Sequence, residues 1–389
     1  METMKPEDWI RSTTELAAVH DILRTSWVRD DDNNWVGVVL RSSSLQVQYK
    51  SVGIEDKQAF IDAFWSSRFE FGTPFIKFAV LRDTESDRWD LLVKMDHAVY
   101  DGTLFRIFDQ HWEALRSNLP LPRHGEFRDF AFQSYSNDNG PSLEYWRDMM
   151  KDKETTFDDS KNDPITDSVL RKLLDVNLEE AARNCGVTPA IIFQTAHQLW
   201  LAKKKRKRSG PVGFDYLLSG RNVESAIDPQ TINGTMANFL PIQSRWHQET
   251  TLMQYLNDSQ DAFWAATEHG NVGLDQIYRA AGLDRATHAN KTLFLFQPFD
   301  PIPPGTTAEE VENTRWLPLS KSKQTRLLQP YELVVEVAKA VSDYRLSIYY
   351  DSSFYSSKEV ELISQEFDDI TRLLAARCQA GLIREVLGA

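Results

Sequence analysis

The sequence predicts an α/β protein built as two similar lobes around a shared cleft. Three observations carry this expectation. The chain has 389 residues, more than one ordinary hydrophobic core spans. Each half holds its own apolar, strand-length runs interleaved irregularly with helical patterns, and no short repeat is visible. Between the halves lie residues 118–142, rich in Pro, Gly, Asn and Ser, and residues 150–167, polar and charged. A boundary near 160 gives an N-terminal lobe over 1–160 and a C-terminal lobe over 161–389.

In the first lobe, 6-PEDWIRSTTELAAVHDILRTSW-27 places Trp9, Ile10, Leu16, Ala17 and Leu23 at amphipathic-helix spacing. Two strand patterns follow, 35-WVGVVL-40 and 45-LQVQY-49, separated by a serine-rich turn. A helix is expected around 55–68, then strands near 74–82 and 88–96. In the second strand Trp89, Leu91, Val93 and Met95 share one face. Residues 103–117 return to helical spacing through Leu104, Ile107, Phe108, Trp112 and Leu115, and 142–150 reads as a short helix. The second lobe opens with a strand at 168–177. A helix then starts at Thr188, a good N-cap, with Pro189 as its first residue. Strands at 211–218 and 239–246, a helix at 251–268, and strands at 291–297, 330–338 and 344–350 complete the sheet. The last helix, 357–377, is capped by Ser356 or Ser357.

Composition narrows the class. A net charge of −13 argues against nonspecific binding to nucleic acid or to an anionic membrane surface. No apolar run approaches the length of a membrane span, and METMKPEDW shows no basic segment leading into an apolar one. A cytoplasmic protein is therefore expected, with its two cysteines, Cys185 and Cys378, as reduced thiols, although one cross-link is conceivable. The basic run 203-KKKRKR-208 reads as an acidic-partner patch or nuclear address, or as a solvated loop tip between a helix and a Ser-Gly turn.

The chemistry-bearing stretch is 91-LLVKMDHAVYDGTLFRIF-108. His97 falls directly after a half-buried strand, Gly102 permits a tight reversal, and a helix begins at once. A strand-to-helix corner holds a side chain rigidly and aims backbone N–H groups at whatever it faces. An imidazole there is a natural proton acceptor, against the plainer reading of a hydrogen-bonded structural histidine. Asp101, four residues on, suits a buried ion pair or turn hydrogen bond better than a catalytic dyad. No Ser or Cys sits in an elbow such as G-x-S-x-G, which points to direct transfer between two bound substrates.

The stretch 96-DHAVYDG-102 resembles the HHxxxDG motif of condensation domains from nonribosomal peptide synthetases. The resemblance extends in order through 18-AVHDILRTSW-27, 143-LEYWRDMM-150, 187-VTPAIIFQTAHQLWLA-202, 219-SGRN-222, 234-GTMANFLPIQSR-245 and 347-SIYYDSSFYSSKEVELISQEFDDI-370, nearly the whole chain. It implies two chloramphenicol-acetyltransferase-like lobes forming a pseudo-dimer with the active site in the cleft between them. It leans toward the fungal C-terminal condensation-like domains that release products by cyclisation. It also implies a donor thioester on a phosphopantetheine arm, an acyl or peptidyl carrier protein acting in trans, a small-molecule amine or hydroxyl nucleophile, and no bound cofactor or metal.

Residue by residue, the resemblance makes His97, Asp101 and Gly102 catalytic, with Gly102 offering its N–H to the developing oxyanion. Arg221 becomes the partner of Asp101, with a close-packing role for Gly220. Asp96, Tyr100, Asn238, Thr292 and Gln297 become expected substrate contacts. Four departures stand out: Asp96 replaces the first histidine of the motif, the chain begins at the first long helix, Asp215 stands where a small residue is usual, and Gln243 replaces an arginine. A carboxylate at 96 either favours imidazolium at His97 or joins a structural network. Three alternatives stay open. A CoA-dependent acyltransferase of the BAHD type also carries HxxxDG, but its DFGWG string is missing here. A non-catalytic scaffold has no use for a histidine at that corner. A different ring-forming reaction on the same fold is the third.

Overall fold

A computed structural model describes residues 6–31, 35–41, 47–85, 89–136, 138–151, 153, 166–205, 210–221, 227–298, 331–340 and 343–388. The chain divides into two compact units, Met1–Asn137 with Ser219–Ala237, and Asp138–Leu218 with Asn238–Ala389. The division falls at 137 rather than near 160, and the segment that begins with the SGR stretch, Ser219–Ala237, belongs to the first unit.

In the first unit the elements run α1 (Pro6–Val19), β1 (Thr25–Arg29), β2 (Trp35–Val39), β3 (Val47–Val52), α2 (Ile54–Ser66), β4 (Ile76–Asp83), β5 (Trp89–Met95), α3 (Gly102–Arg116) and α4 (Phe127–Ser136). A three-stranded sheet is ordered β3-β4-β5, with β3 parallel and β5 antiparallel to β4. Alternation along its strands sorts two cores. Ile76 and Phe78, with Leu91, Val93 and Met95, pack against Leu16 and Ala17 of α1 and Leu104, Phe108 and Trp112 of α3. On the opposite face Ala79 and Leu92 meet Phe64 of α2. The expected single helix over 6–27 is a correction: α1 stops at Val19, His20 is extended, and Thr25–Arg29 pairs antiparallel with Trp35–Val39. Helical spacing in the sequence cannot separate a helix from a helix followed by a 3-10 turn and a short strand. The α4 helix lies within residues 118–142, where the turn-forming composition gives no helical signal.

The second unit contains α5 (Gly140–Met149), β6 (Ser168–Leu174), α6 (Glu179–Cys185), α7 (Pro189–Lys204), β7 (Gly210–Leu218), β8 (Asn238–Trp246), α8 (Leu252–Glu268), α9 (Leu274–Ala280), α10 (Arg285–His288), β9 (Thr292–Gln297), β10 (Leu333–Lys339), β11 (Tyr344–Tyr350), α12 (Ser357–Arg377) and α13 (Ile383–Leu387). Its six-stranded mixed sheet runs β6-β11-β10-β9-β7-β8. The α7 helix is buried along Ile191–Ala202 and packs against α8, α12 and β7, so it is covered around most of its circumference rather than along one stripe, with Gln194, Thr195, His197 and Gln198 buried too. Its start is the one the sequence signals: Thr188 Oγ1 accepts from the Ile191 N–H at 3.4 Å, and Pro189 occupies the first turn. Ser356, not Ser357, caps α12. Its Oγ accepts from Glu359 N–H at 3.3 Å while Glu359 Oε2 accepts from Ser356 N–H at 2.8 Å, a reciprocal capping box.

The cysteines are a second correction. Cys185, at the end of α6, and Cys378, at the C-cap of α12, form a buried disulfide across 193 residues of sequence. Only the packing of the two helix ends brings the sulfurs together, so nothing local in the sequence indicates the pairing. Among the described residues no helix is long and apolar enough to cross a membrane.

Candidate active site at the strand-to-helix corner

The corner is assembled from caps. Strand β5 ends at Met95, and Asp96 Oδ1 accepts from Ala98 N–H at 3.0 Å, closing a single 3-10 turn over His97–Val99. Val99 is buried and ties that turn to the core, which leaves His97 facing outward and exposed. The imidazole lies flat on the Tyr100 ring, with centroids 4.4 Å apart and planes 8° from parallel. Tyr100 in turn touches Phe105 at 4.8 Å. Burial, and secondarily the Asp96 carboxylate, raise the Tyr100 phenol above its ordinary value. One oxygen of the Asp96 carboxylate thus closes the turn that carries His97.

Asp101 closes the corner from the other side. Its Oδ1 accepts from Thr103 N–H at 3.0 Å and Leu104 N–H at 3.3 Å, capping α3. The same carboxylate receives Arg221: Nη2 reaches Oδ1 at 2.9 Å and Oδ2 at 2.8 Å, and Nε reaches Oδ2 at 3.1 Å. Met236 N–H adds a further bond to Oδ2 at 3.1 Å. Arg221 is itself buried and donates to three backbone carbonyls, Pro229 at 2.6 Å, Ile232 at 3.1 Å and Gly234 at 2.8 Å. Burial lowers the guanidinium from its ordinary value while Asp101 acts in the opposite sense, and it stays charged. Asp101 is therefore an anchor rather than a partner of the His97 ring.

Two glycines behave differently here. Gly220 has φ +66°, and a Cβ on it would stand 1.7 Å from the Met236 carbonyl oxygen, so the backbone itself demands glycine. At Gly102 nothing lies within 4 Å of a built Cβ. That glycine, the first residue of α3, is not required by the packing of the chain. Asp101 takes the N–H groups of Thr103 and Leu104, and among the described residues none accepts from Gly102 N–H. An open space and a free helix-start N–H therefore follow an exposed imidazole five residues on along the chain.

Asp96, His97, Tyr100, Asp101, Gly102 and Arg221 thus share the first unit. Asn238, Thr292 and Gln297 are in the second, and two of them make hydrogen-bond contacts within it. Asn238 Nδ2 donates to the carbonyls of Gly270 at 2.7 Å and Val272 at 2.8 Å, holding the turn before α9. Thr292 is buried with its hydroxyl 3.4 Å from His197 Nε2. Gln297 sits half-buried at the end of β9. The two unusual residues of this unit are also inward-facing. Asp215 accepts from Asn290 at 2.5 Å and Tyr331 at 2.7 Å, and burial pushes it up. Gln243 reaches Met150 Sδ at 3.7 Å. Of the basic run, Lys203 pairs with Glu366 at 3.1 Å and Lys204 donates to Tyr355 at 2.7 Å; 206–208 and Asn222 lie outside the described residues. Sequence reasoning passed over Asn233, buried between two of the carbonyls that hold Arg221, because an Asn-Gly pair reads only as a turn.

Known proteins carry the same pattern. The condensation-domain family model matches residues 3–387. Nonribosomal peptide synthetase sidE of Aspergillus fumigatus is 37% identical over 99% of this chain, which spans 18% of that protein. Nonribosomal peptide synthetase 7 of the same fungus is 36% identical over 90% of this chain, which spans 15% of it. Among solved structures, the condensation domain of the monacolin K polyketide synthase MokA superposes with a TM-score of 0.71 at 15% identity, covering 98% of this chain and 92% of that one. The mixed α/β fold is that of condensation domains, and by the match along its length this chain belongs to the condensation-domain family.

Proposed function

We propose that this domain transfers an acyl or peptidyl group from a phosphopantetheine thioester, presented by a carrier domain, to an amine or hydroxyl nucleophile. The nucleophile forms a C–N or C–O bond at the thioester carbon as the C–S bond breaks. The nucleophile's proton ends on the departing thiolate, so the product is an amide, an ester or, when the nucleophile belongs to the same acyl chain, a released ring. Gly102 N–H, at the start of α3, is the donor available to the developing oxyanion. His97 either takes the proton or orients the nucleophile that loses it.

The observation that carries this reading is the combination at the corner of an exposed His97 and an empty position over Gly102, with both neighbouring carboxylates engaged elsewhere. The named relatives are fungal peptide synthetases of which this chain spans a small part, which supports a carrier-bound donor and a place in secondary metabolism. The experiment is single-turnover transfer from an aminoacyl carrier domain to a free amine, read by mass spectrometry, for the native chain and His97→Ala. Loss of roughly 10²–10⁴-fold in rate with an unchanged melting temperature is expected. Equal rates would remove His97 from the chemistry and favour a scaffold role.

A further inference from the structure

The pair Asp101–Arg221 is held by a segment that carries a second network, centred on the buried Asn233, His20 and His111. Asn233 lies between Ile232 and Gly234, whose carbonyls accept from Arg221, and is itself inaccessible to solvent. Its backbone N–H donates to Gly125 at 2.9 Å, and Gly125 N–H donates back to Thr231 at 3.1 Å. Its side chain reaches three other places. Oδ1 accepts from Phe127 N–H at 2.8 Å, and Nδ2 donates to Glu126 Oε2 at 3.0 Å and meets His20 Nδ1 at 2.9 Å.

These contacts determine the protons. A backbone N–H can only donate, so Phe127 decides which end of the Asn233 amide is oxygen. The amide NH₂ then faces His20 Nδ1, which must be the acceptor, and the His20 proton sits on Nε2. That proton is donated to His111 Nδ1 at 3.1 Å, leaving the His111 proton on its own Nε2. His124 Nε2 contacts Glu126 Oε1 at 3.0 Å, so any positive charge in the group rests on His124 beside that carboxylate. The rings of His20, His111 and His124 offer three nitrogens within 4.8 Å of one another, a spacing that suits a cation. The Asn233 amide argues against one, because it turns the His20 N–H, not its lone pair, toward His111.

We propose that Asn233 is a positioning residue: locked by Phe127, Glu126 and the Nε2–H tautomer of His20, it fixes residues 227–237 so that their carbonyls cradle Arg221 and, through it, Asp101 and the start of α3. Its bearing on transfer rests on the reading of the His97 corner given above. A proton added to His20 Nδ1 would set two donors face to face. The groups facing His20 are His111 from α3, His124 and Glu126 from the connection after it, and Asp21, which pairs with Arg24 and Arg128 beside it. Burial first, then His124 and His111, hold His20 down to about 3, and burial first, then His124, holds His111 to about 4, so both stay neutral across the working range.

The test uses the full chain labelled with ¹⁵N arginine and histidine. In the native chain the Arg221 Nε–H signal should persist and His20 should report the Nε2–H tautomer. In Asn233→Leu that arginine signal should exchange with water about tenfold faster, since its opening is local rather than global. The transfer rate should fall roughly a hundredfold with KM little changed, the cost of a misplacement of about 1 Å. His20→Gln, which keeps an acceptor for the amide and a donor for His111, should restore native exchange where His20→Leu does not; this pair decides the matter if Asn233→Leu fails to fold. An unchanged Arg221 signal in Asn233→Leu, a faster-exchanging Arg221 with an undiminished transfer rate, an Nδ1–H tautomer at His20, or stoichiometric Zn²⁺ shifting the His20 and His111 signals would each overturn the proposal. The spectroscopic arm needs no substrate, so an inactive native chain would count against the functional reading alone.

Discussion

Replacing Asp101 by alanine tests the architecture of the corner most directly. The carboxylate receives three contacts from Arg221 and three from backbone N–H groups, and the two side chains are 12% and 2% exposed. Removing it strands a buried cation, which ordinarily costs about 3–5 kcal/mol. The cap on α3 contributes on the order of 1 kcal/mol by itself, but it is the same group and does not simply add. Three carbonyls, those of Pro229, Ile232 and Gly234, still solvate the guanidinium, so the lower end, about 3 kcal/mol, is expected. For a unit in this size range that corresponds to a melting temperature lower by roughly 6–12 °C. The decisive comparison is Asp101→Ala against the double variant Asp101→Ala, Arg221→Met, by calorimetry and urea unfolding. Removing the cation with its partner should recover about 1–2 kcal/mol of the loss. A single variant that melts with the native chain, or a double variant no more stable than the single, would refute the argument that burial of the unpaired charge sets the cost.

Three further outcomes follow from separate features. Gly220→Ala places a Cβ against the Met236 carbonyl at a positive φ; the variant should be recovered mainly as insoluble protein, and a soluble variant of native melting temperature would contradict that contact. Cys378→Ser opens a cross-link spanning 193 residues and should lower stability by about 2–4 kcal/mol in urea, a difference that disappears when both chains are compared under reducing conditions. His197 is fully buried beside Thr292 and burial holds it at about 3. Unfolded chains take up its proton near pH 6.5 and the folded chain does not, so its contribution is complete above that pH and is lost below it. At pH 5 the loss is about 2 kcal/mol, and His197→Gln should show a flatter decline of the urea midpoint between pH 7.5 and 5.

Much of the corner was legible because its signals are local. The alternation of Leu91, Val93 and Met95 marks a strand with one apolar face, and those residues do face α1 and α3. The short-range caps at Thr188 and Ser356 act within three residues of themselves, so their residue types are readable in order along the chain. The expected helix over 6–27 fails for the same reason. Periodicity sees apolar spacing through His20 and Leu23, but the chain leaves the helix there to enter a 3-10 turn and a strand paired with Trp35–Val39. That pairing partner lies outside any local window.

Local sequence sets the strand–turn–helix around His97 and the starts of α7 and α12, because each rests on dihedral preferences and hydrogen bonds made within a few residues. Tertiary structure alone decided the rest. The sheet order β6-β11-β10-β9-β7-β8, the Cys185–Cys378 cross-link, the return of Ser219–Ala237 to the first unit and the burial of Asn233 among His20, Glu126 and Phe127 all join residues 100 or more positions apart, or strands out of sequence order. A buried polar group must find a partner, but its residue type does not say which one. Only the packed chain supplies that partner, and with it the protonation of His20 and the grip on Arg221.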